Sequence, residues 1–326
     1  MVRAVRFVTI AFCAVFAGGG IAVADITELQ DFDKLWNYGD PAATEAKFRE
    51  LEAAARERDD PDYLVQLLTQ IARTKGLRGQ FDEAHAILDE AGALATEACV
   101  VGGIRLKLER GRAFNSAGKK KEAIAQFLAA LEAAKAAGAE FHMIDAGHML
   151  GIAEDGDKAL AWNLKAIAMA EAAKGERARG WLGPLYNNTG WTYHDKKEYE
   201  KALDLFLKGL AFRKERKQEK QVLIARWTVG RCLRSLGRFQ EALATQRALL
   251  ESYEKLGTRD GFVYEEIGEI LWAQGNKREA RSWLRGAYEL LSKVDWMVKS
   301  EAARLKSLAE RGGVETEAPP PEDEGK

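Results

Sequence analysis

The chain has 326 residues, with 49 Lys and Arg against 50 Asp and Glu for a formal net charge of -1, so no overall basic excess argues for a nucleic-acid partner. Six prolines and 30% charged residues, many inside Ala-, Leu-, Glu- and Lys-rich runs, favour an all-helical protein larger than one ordinary compact domain. No HExxH, GxSxG, phosphate-loop or paired CxxC motif occurs, so neither an enzyme nor a cofactor is expected, and a near-neutral chain points to proteins or peptides as partners.

Residues 1–24 read as a secretory signal. Arg3 and Arg6 form a basic start, Phe7 to Phe16 an apolar run, and Ala22-Val23-Ala24 a small-residue cleavage site. The mature chain is therefore expected to begin at Asp25, to be periplasmic or secreted, and to hold no stable membrane insertion after cleavage. The alternative is an N-terminal membrane anchor, for which Phe7 to Ala24 is near the lower length limit and is weakened by Gly18-Gly19-Gly20. Cys13 lacks the small residue that precedes a lipoprotein cysteine. Cys99 and Cys232 then remain, three repeats apart, and read as buried small hydrophobes.

Residues 25–60 read as N-terminal capping helices: one through FDKLW, then a second capped by Asp40 and opened by Pro41. From Pro61 a unit recurs. In its clearest copy Gly190 is followed by Tyr193 three residues later, Ala202 twelve later, Phe206 sixteen later and Gly209 nineteen later. These offsets describe two short antiparallel helices, with small residues where the backbones approach and a stripe of Ala202, Leu203, Phe206, Leu207 and Leu210 on the second. The same register places Ala72 with Leu88, Gly111 with Phe127, Gly147 with Asn163, Gly230 with Gln246 and Gly268 with Leu284. From Ala84 the anchor alanines recur after 39, 36, 43, 40 and 38 residues, which makes six units over 61–294. Residues 295–312 read as one closing helix with Met297, Ala302, Leu305 and Leu308 on its apolar face, stopped by Gly312-Gly313. The acidic, Pro-rich tail 313–326 is expected to be disordered.

At Tyr186, Gly190, Tyr193, Ala202 and Phe206 the chain resembles the tetratricopeptide repeat (TPR) family, over about residues 61–294. Tyr186 stands for the family's usual tryptophan, Thr189 for its leucine, and Lys75 for the aromatic of the first unit. Units longer than the usual length of about 34 residues, with LYNN at 185–188, are similar to the kinesin light chain variety. The resemblance implies a right-handed superhelical α-solenoid of about six helix pairs with terminal caps, whose first helices line a concave groove.

In that family the groove face falls three and six residues before the glycine and one and four after it, which share one helical face. The fourth unit then presents Pro184, Asn187, Trp191 and His194, the fifth Ile224, Trp227, Arg231 and Arg234, and the sixth Phe262, Glu265, Glu269 and Trp272. The expected peptide site has Trp191 and Trp227 as anchors, Asn187 or Asn188 bonding the peptide backbone, and the two arginines favouring an acidic residue. The competing reading makes these tryptophans inter-repeat packing. The wall between Phe141 and His148 is a second candidate, and the run Arg213 to Lys220 reads as a solvated helix end. Four histidines scattered along the array give no metal site. The expected function is an exported scaffold holding a peptide or protein segment; the alternatives are a small-ligand or glycan module in the same groove, or a self-assembling structural protein.

Overall fold

The computed structural model describes residues 30–315; the signal-like segment and the tail from residue 316 lie outside the described residues. Among the described residues there are only helices. A 3-10 turn, Phe32–Leu35, precedes α1 (Pro41–Arg56), α2 (Pro61–Leu77), α3 (Phe81–Leu94), α4 (Val100–Ser116), α5 (Lys120–Ala136), α6 (Glu140–Ala153), α7 (Gly156–Ala172) and the short α8 (Glu176–Arg179). Then come α9 (Leu182–Asp195), α10 (Tyr199–Glu215), α11 (Glu219–Ser235), α12 (Phe239–Lys255), α13 (Gly261–Ala273), α14 (Lys277–Leu291), α15 (Asp295–Ser300) and α16 (Ala302–Gly312). The pairs are α2/α3, α4/α5, α6/α7, α9/α10, α11/α12 and α13/α14, and each second helix also packs on the first helix of the next pair. This is an α-solenoid of six helix pairs.

Local chemistry starts the helices where the sequence places the starts. Asp40 accepts from the Ala43 amide and Asp60 from the Tyr63 amide, both at 3.0 Å, with Pro41 and Pro61 in the first turn where no amide donor is needed. Within a pair, a small residue on the first helix lies against the residue sixteen positions later. A Cβ on Gly190 would lie 2.7 Å from Phe206 Cδ1, one on Gly111 2.7 Å from Phe127 Cδ1, and one on Gly268 2.7 Å from Leu284 Cδ2. The joining turns use a left-handed residue at one fixed position: Gly79, Gly118, Gly237 and Gly275 at φ 74 to 84°, and Lys197 at φ 61°.

The third unit departs from this register. Glu154, where the others carry the left-handed residue, is extended (φ -81°, ψ 165°), and the positive φ moves to Gly156. As a result Asn163 lies against Gly151, 2.8 Å from Asn163 Cγ to a Cβ there, while Gly147 faces Met169 and Ala166. The expected pairing of Gly147 with Asn163 is thus one helical turn out.

Other expectations are also corrected. FDKLW forms a single 3-10 turn and not a helix, because its side chains are drawn across the inner wall of the array, as described below. The closing segment is broken at Glu301 (φ -126°) into α15 and α16; Met297, Leu305 and Leu308 are buried, but Ala302 is exposed. Leu207 points to solvent and leaves the apolar stripe to Ala202, Leu203, Phe206 and the half-buried Leu210. Helix α8 is an added element, lying within the longest interval between anchor alanines. The departures from the repeat pattern have local causes. Lys75 binds Glu83 (2.8 Å) and Glu45 (3.3 Å). The Tyr186 hydroxyl donates to Glu171 (2.7 Å) on the preceding second helix. Cys99 and Cys232 are buried free thiols, and burial pushes the Cys232 thiol up to about 11.

Gly190→Leu is expected to lower unfolding stability by roughly 1–3 kcal/mol through overpacking, and Phe206→Ala in the same chain should return part of that loss. Chemical denaturation of the two variants checks it, and an unchanged midpoint for Gly190→Leu would remove the contact from the account. Lys197→Gly should gain up to about 1 kcal/mol by relieving a left-handed non-glycine residue.

Candidate functional site

The first helices line the groove, and its two halves differ in chemistry. In the C-terminal half, α9, α11, α13 and α15 build an aromatic wall. Trp191 packs on Phe206 (5.2 Å between ring centroids) and on Trp227 (6.3 Å); Trp227 meets Phe262 (6.3 Å), and Phe262 stacks on Trp296 (6.1 Å, 12° between planes). The Trp227 indole donates to the Phe262 carbonyl at 3.1 Å. Trp191 and Trp227 therefore touch each other across the unit boundary and do not stand as separate posts. Both tryptophans are half-buried against the inter-unit core, and Trp227 also borders a recess of about 310 Å³ together with Ile224, Tyr253, Phe262 and Trp296. Ile224 is 59% exposed and Trp296 51% exposed, so this recess opens to solvent.

Ile224 also borders a second recess of about 210 Å³ lined by Pro184, Asn187, Asn188 and Arg213. Asn187 Nδ2 donates to Asn188 Oδ1 at 3.1 Å. That leaves the Asn187 oxygen and the Asn188 amide nitrogen without a side-chain partner among the described residues, one acceptor and one donor beside an apolar shelf. Arg213, read as part of a solvated helix end, has its guanidinium packed over Gly183 and bonded to Gln218 (2.5 Å), while Lys214, Lys217 and Lys220 are exposed.

The expected charged contacts are already engaged. Arg234 grips Glu266 through two bonds of 2.8 and 3.0 Å, and Arg231 reaches the same carboxylate at 3.2 Å. An acidic ligand residue would have to compete with Glu266, a pairing the sequence register does not show. Glu265 is held by Arg304 (2.7 and 2.6 Å) and Glu269 by Arg311, which fasten α16 to α13. Trp272 lies beneath Arg311 and Lys277 and does not join the other two tryptophans. His194 bonds the Ser235 hydroxyl at 2.9 Å.

The N-terminal half holds a site that the fourth-to-sixth-unit reading misses. Arg73 on α2, Arg105, Glu109 and Arg112 on α4, His142 and Asp145 on α6, Arg177 on α8 and Trp181 line a recess of about 200 Å³. Arg112 joins Glu109 (2.7 Å) to Asp145 (2.5 Å), and Arg73 reaches Glu109 at 3.2 Å. Burial opposes the Asp145 charge, but Arg112 overcomes it and holds the carboxyl below its ordinary value. The segment 30–38 crosses this wall. Asp33 accepts from Arg105 (2.9 and 2.5 Å) and Arg177 (2.7 Å), the Trp36 indole donates to Gln70 (3.1 Å), and Trp36 stacks on Tyr38 beneath Arg73. The same offset rule applied to the first two units names Arg73, Arg105 and Arg112, so their signal was present. In the third unit Phe141 lines the recess as the rule gives, but His142 and Asp145 lie one residue past its positions, and Arg177 sits on the added helix. His142 and His148 also share α6 and are not on separate units. Among the described residues no three His, Cys, Asp or Glu side chains gather as a metal site.

The sequence matches the tetratricopeptide repeat family over residues 183–215 and again over 221–293. Solved structures with the same fold include the apo form of RapI, with 16% identity, 85% of this chain and 79% of that chain covered, and a TM-score of 0.66. The apo form of the quorum sensor NprR from B. thuringiensis aligns with 15% identity over 84% of this chain and 83% of that chain, at a TM-score of 0.50. A signal transduction ATPase with a tetratricopeptide repeat sensor from Pyrococcus horikoshii gives 14% identity and a TM-score of 0.64 over 85% of this chain, which spans 44% of that protein's length. No curated protein matches the chain in sequence. Residues 183–293 thus match the tetratricopeptide repeat family, and the six helix pairs carry the same solenoid fold from residue 61 to residue 291.

The recess makes stability depend on pH through His142. Burial, with Arg105 adding to it and Asp145 opposing, pushes this imidazole down from 6.5 to about 4. Arg177 and Asp33 also face it, the first lowering and the second raising its proton affinity. Between those values the unfolded chain binds a proton that the fold excludes, so the contribution is complete above pH 6.5 and is lost as the pH falls towards 4. Denaturation at pH 7 and at pH 4.5 should show wild type losing roughly 2 kcal/mol more than His142→Gln. Equal losses would mean that the ring charges freely in the fold.

Proposed function

We propose that the chain is an exported protein-interaction scaffold that holds an extended polypeptide segment along its groove and performs no chemistry of its own. The observation that carries this reading is the open apolar shelf of Ile224, Trp227, Phe262 and Trp296, continuous through Ile224 with the carboxamides of Asn187 and Asn188. An extended segment needs this combination: apolar recesses for alternate side chains, and a donor with an acceptor for its backbone. Aromatic side chains, tryptophan above all, are the usual energetic centre of an interface. The kinship with a quorum sensor supports a sensing or recruiting role over a catalytic one. Export rests on the basic, apolar and small-residue pattern of residues 1–24. Among the described residues no helix is long and apolar enough to cross a membrane.

The test is retention of partners from the native envelope fraction on immobilised protein. Ile224→Ala with Trp296→Ala should weaken retention at least about tenfold, since each truncation removes a centre worth about 1–2 kcal/mol, while the melting curve stays near wild type. Leu128→Ser with Leu207→Ser, which changes exposed residues of second helices, should leave retention intact. Full retention by the folded shelf variant would move the binding surface elsewhere.

A further inference from the structure

We propose that the arginine recess in the N-terminal half of the groove binds a carboxylate of the polypeptide partner, and that Asp33 of the chain's own segment 30–38 occupies this site in the free protein. The proposal rests on the groove reading in taking the partner to be a polypeptide. It concerns different residues and can fail separately.

Two guanidinium groups from distant parts of the chain converge on one carboxylate. Arg105 on α4 donates through both terminal nitrogens to the two Asp33 oxygens (2.9 and 2.5 Å), and Arg177 on α8 adds a third bond of 2.7 Å. A planar fork facing two oxygens is selective for carboxylate geometry, which a point charge would not be. The Arg105 side chain is only 8% exposed and that of Arg177 58% exposed, so the site has a fixed inner arginine and an outer one that solvent can reach. An incoming carboxylate can engage Arg177 first and then replace Asp33 on Arg105.

The recess also has donors that segment 30–38 does not satisfy. Arg105 Nε, Arg73 Nε and the Trp181 indole nitrogen are buried without a hydrogen-bond partner, as is His142 Nε2. All four side chains line the same space of about 200 Å³. Unpaired buried donors are costly, and a cluster of them around a cavity marks a ligand's place. Without Asp33, four arginines would face only Glu109 and Asp145 there, an excess of positive charge that calls for an anion. Segment 30–38 is itself divided in its hold. Phe32 is buried in the core between α1 and α2, whereas Tyr38 is exposed and rests on Trp36 and Arg73. Phe32 and Trp36, which packs edge-on against Phe48 at 5.3 Å, hold the backbone, so the Asp33 side chain can leave Arg105 by a change of rotamer.

Three acetylated heptapeptides on one apolar frame serve as probes: one with a single glutamate and an amidated end, one with no acidic residue and a free C-terminal carboxylate, and one with neither. Titration calorimetry on the exported chain is paired with the indole resonance of Trp181, assigned by Trp181→Phe. At least one carboxylate peptide should bind and move that resonance, and the neutral peptide should do neither. Asp33→Asn should tighten the carboxylate peptide about tenfold, and Arg105→Gln should erase its advantage over the neutral one. The peptide that wins tells an acidic side chain from a chain terminus. Tyr38→Ala, which loosens the segment without touching the ion pair, should tighten binding severalfold and carries the test if Asp33→Asn does not fold. Equal binding of all three peptides, no binding of either carboxylate peptide to the variants, or unchanged affinity in folded Asp33→Asn and Tyr38→Ala would each overturn the proposal. Ile224→Ala with Trp296→Ala should leave the Trp181 response to saturating carboxylate peptide in place, which separates failure of the shelf from failure of this site.

Discussion

In four of the six helix pairs the array depends on one repeated contact, a glycine on the first helix lying against the side chain sixteen residues later on the second. Phe127, Phe206, Gln246 and Leu284 are different groups, yet each occupies the space that a Cβ would need. Close approach of the backbones fixes the pair, and stacking of pairs then fixes which residues of the first helices face inward. Where the contact changes, the inner wall changes with it. In the third unit the left-handed residue shifts to Gly156 and the contact moves to Gly151, and there His142 and Asp145 join Phe141 on the groove.

The inner wall pairs two kinds of surface that fold for opposite reasons. The C-terminal half is held by aromatic packing from Trp191 through Trp227 and Phe262 to Trp296, with Arg231, Arg234, Glu265 and Glu269 joined to neighbours around it. Apolar surface left open there is available to a partner at little desolvation cost. The N-terminal half buries arginines and carboxylates whose desolvation is repaid only when each is paired, so removing one partner leaves a charge stranded. Such a network contributes orientation more than stability, and it holds segment 30–38 in one place across α2, α4 and α8.

Much of this was legible in the sequence because it is periodic. Five of the six anchor alanines, all but half-buried Ala159, the small residue opposite Phe206, the capping of α1 and α2 by Asp40 and Asp60, and the burial of Cys99 and Cys232 follow from spacing and local chemistry. What was not legible is aperiodic. The path of residues 30–38 is set by Asp33 meeting Arg177, 144 positions away. The added helix α8 was visible only as the longest repeat interval. Glu154 in an extended turn, Glu266 between two arginines, and the break at Glu301 are pairings or backbone states that no single-helix pattern encodes. Of the expected site residues, Asn187, Asn188 and Trp227 border the two recesses, Trp191 packs on Phe206 and Trp227, Trp272 lies under Arg311, and Glu265 and Glu269 pair with Arg304 and Arg311, contacts that no first-helix offset encodes.

The groove as the binding surface can be tested without knowing the partner, by placing a photoreactive benzoylphenylalanine at single positions in the living cell. A residue at Ile224, on the shelf, should give a discrete crosslinked species after irradiation. A residue at Leu207, exposed on the second helix of the preceding pair, should give none. Crosslinking from position 207 with none from 224 would contradict the account.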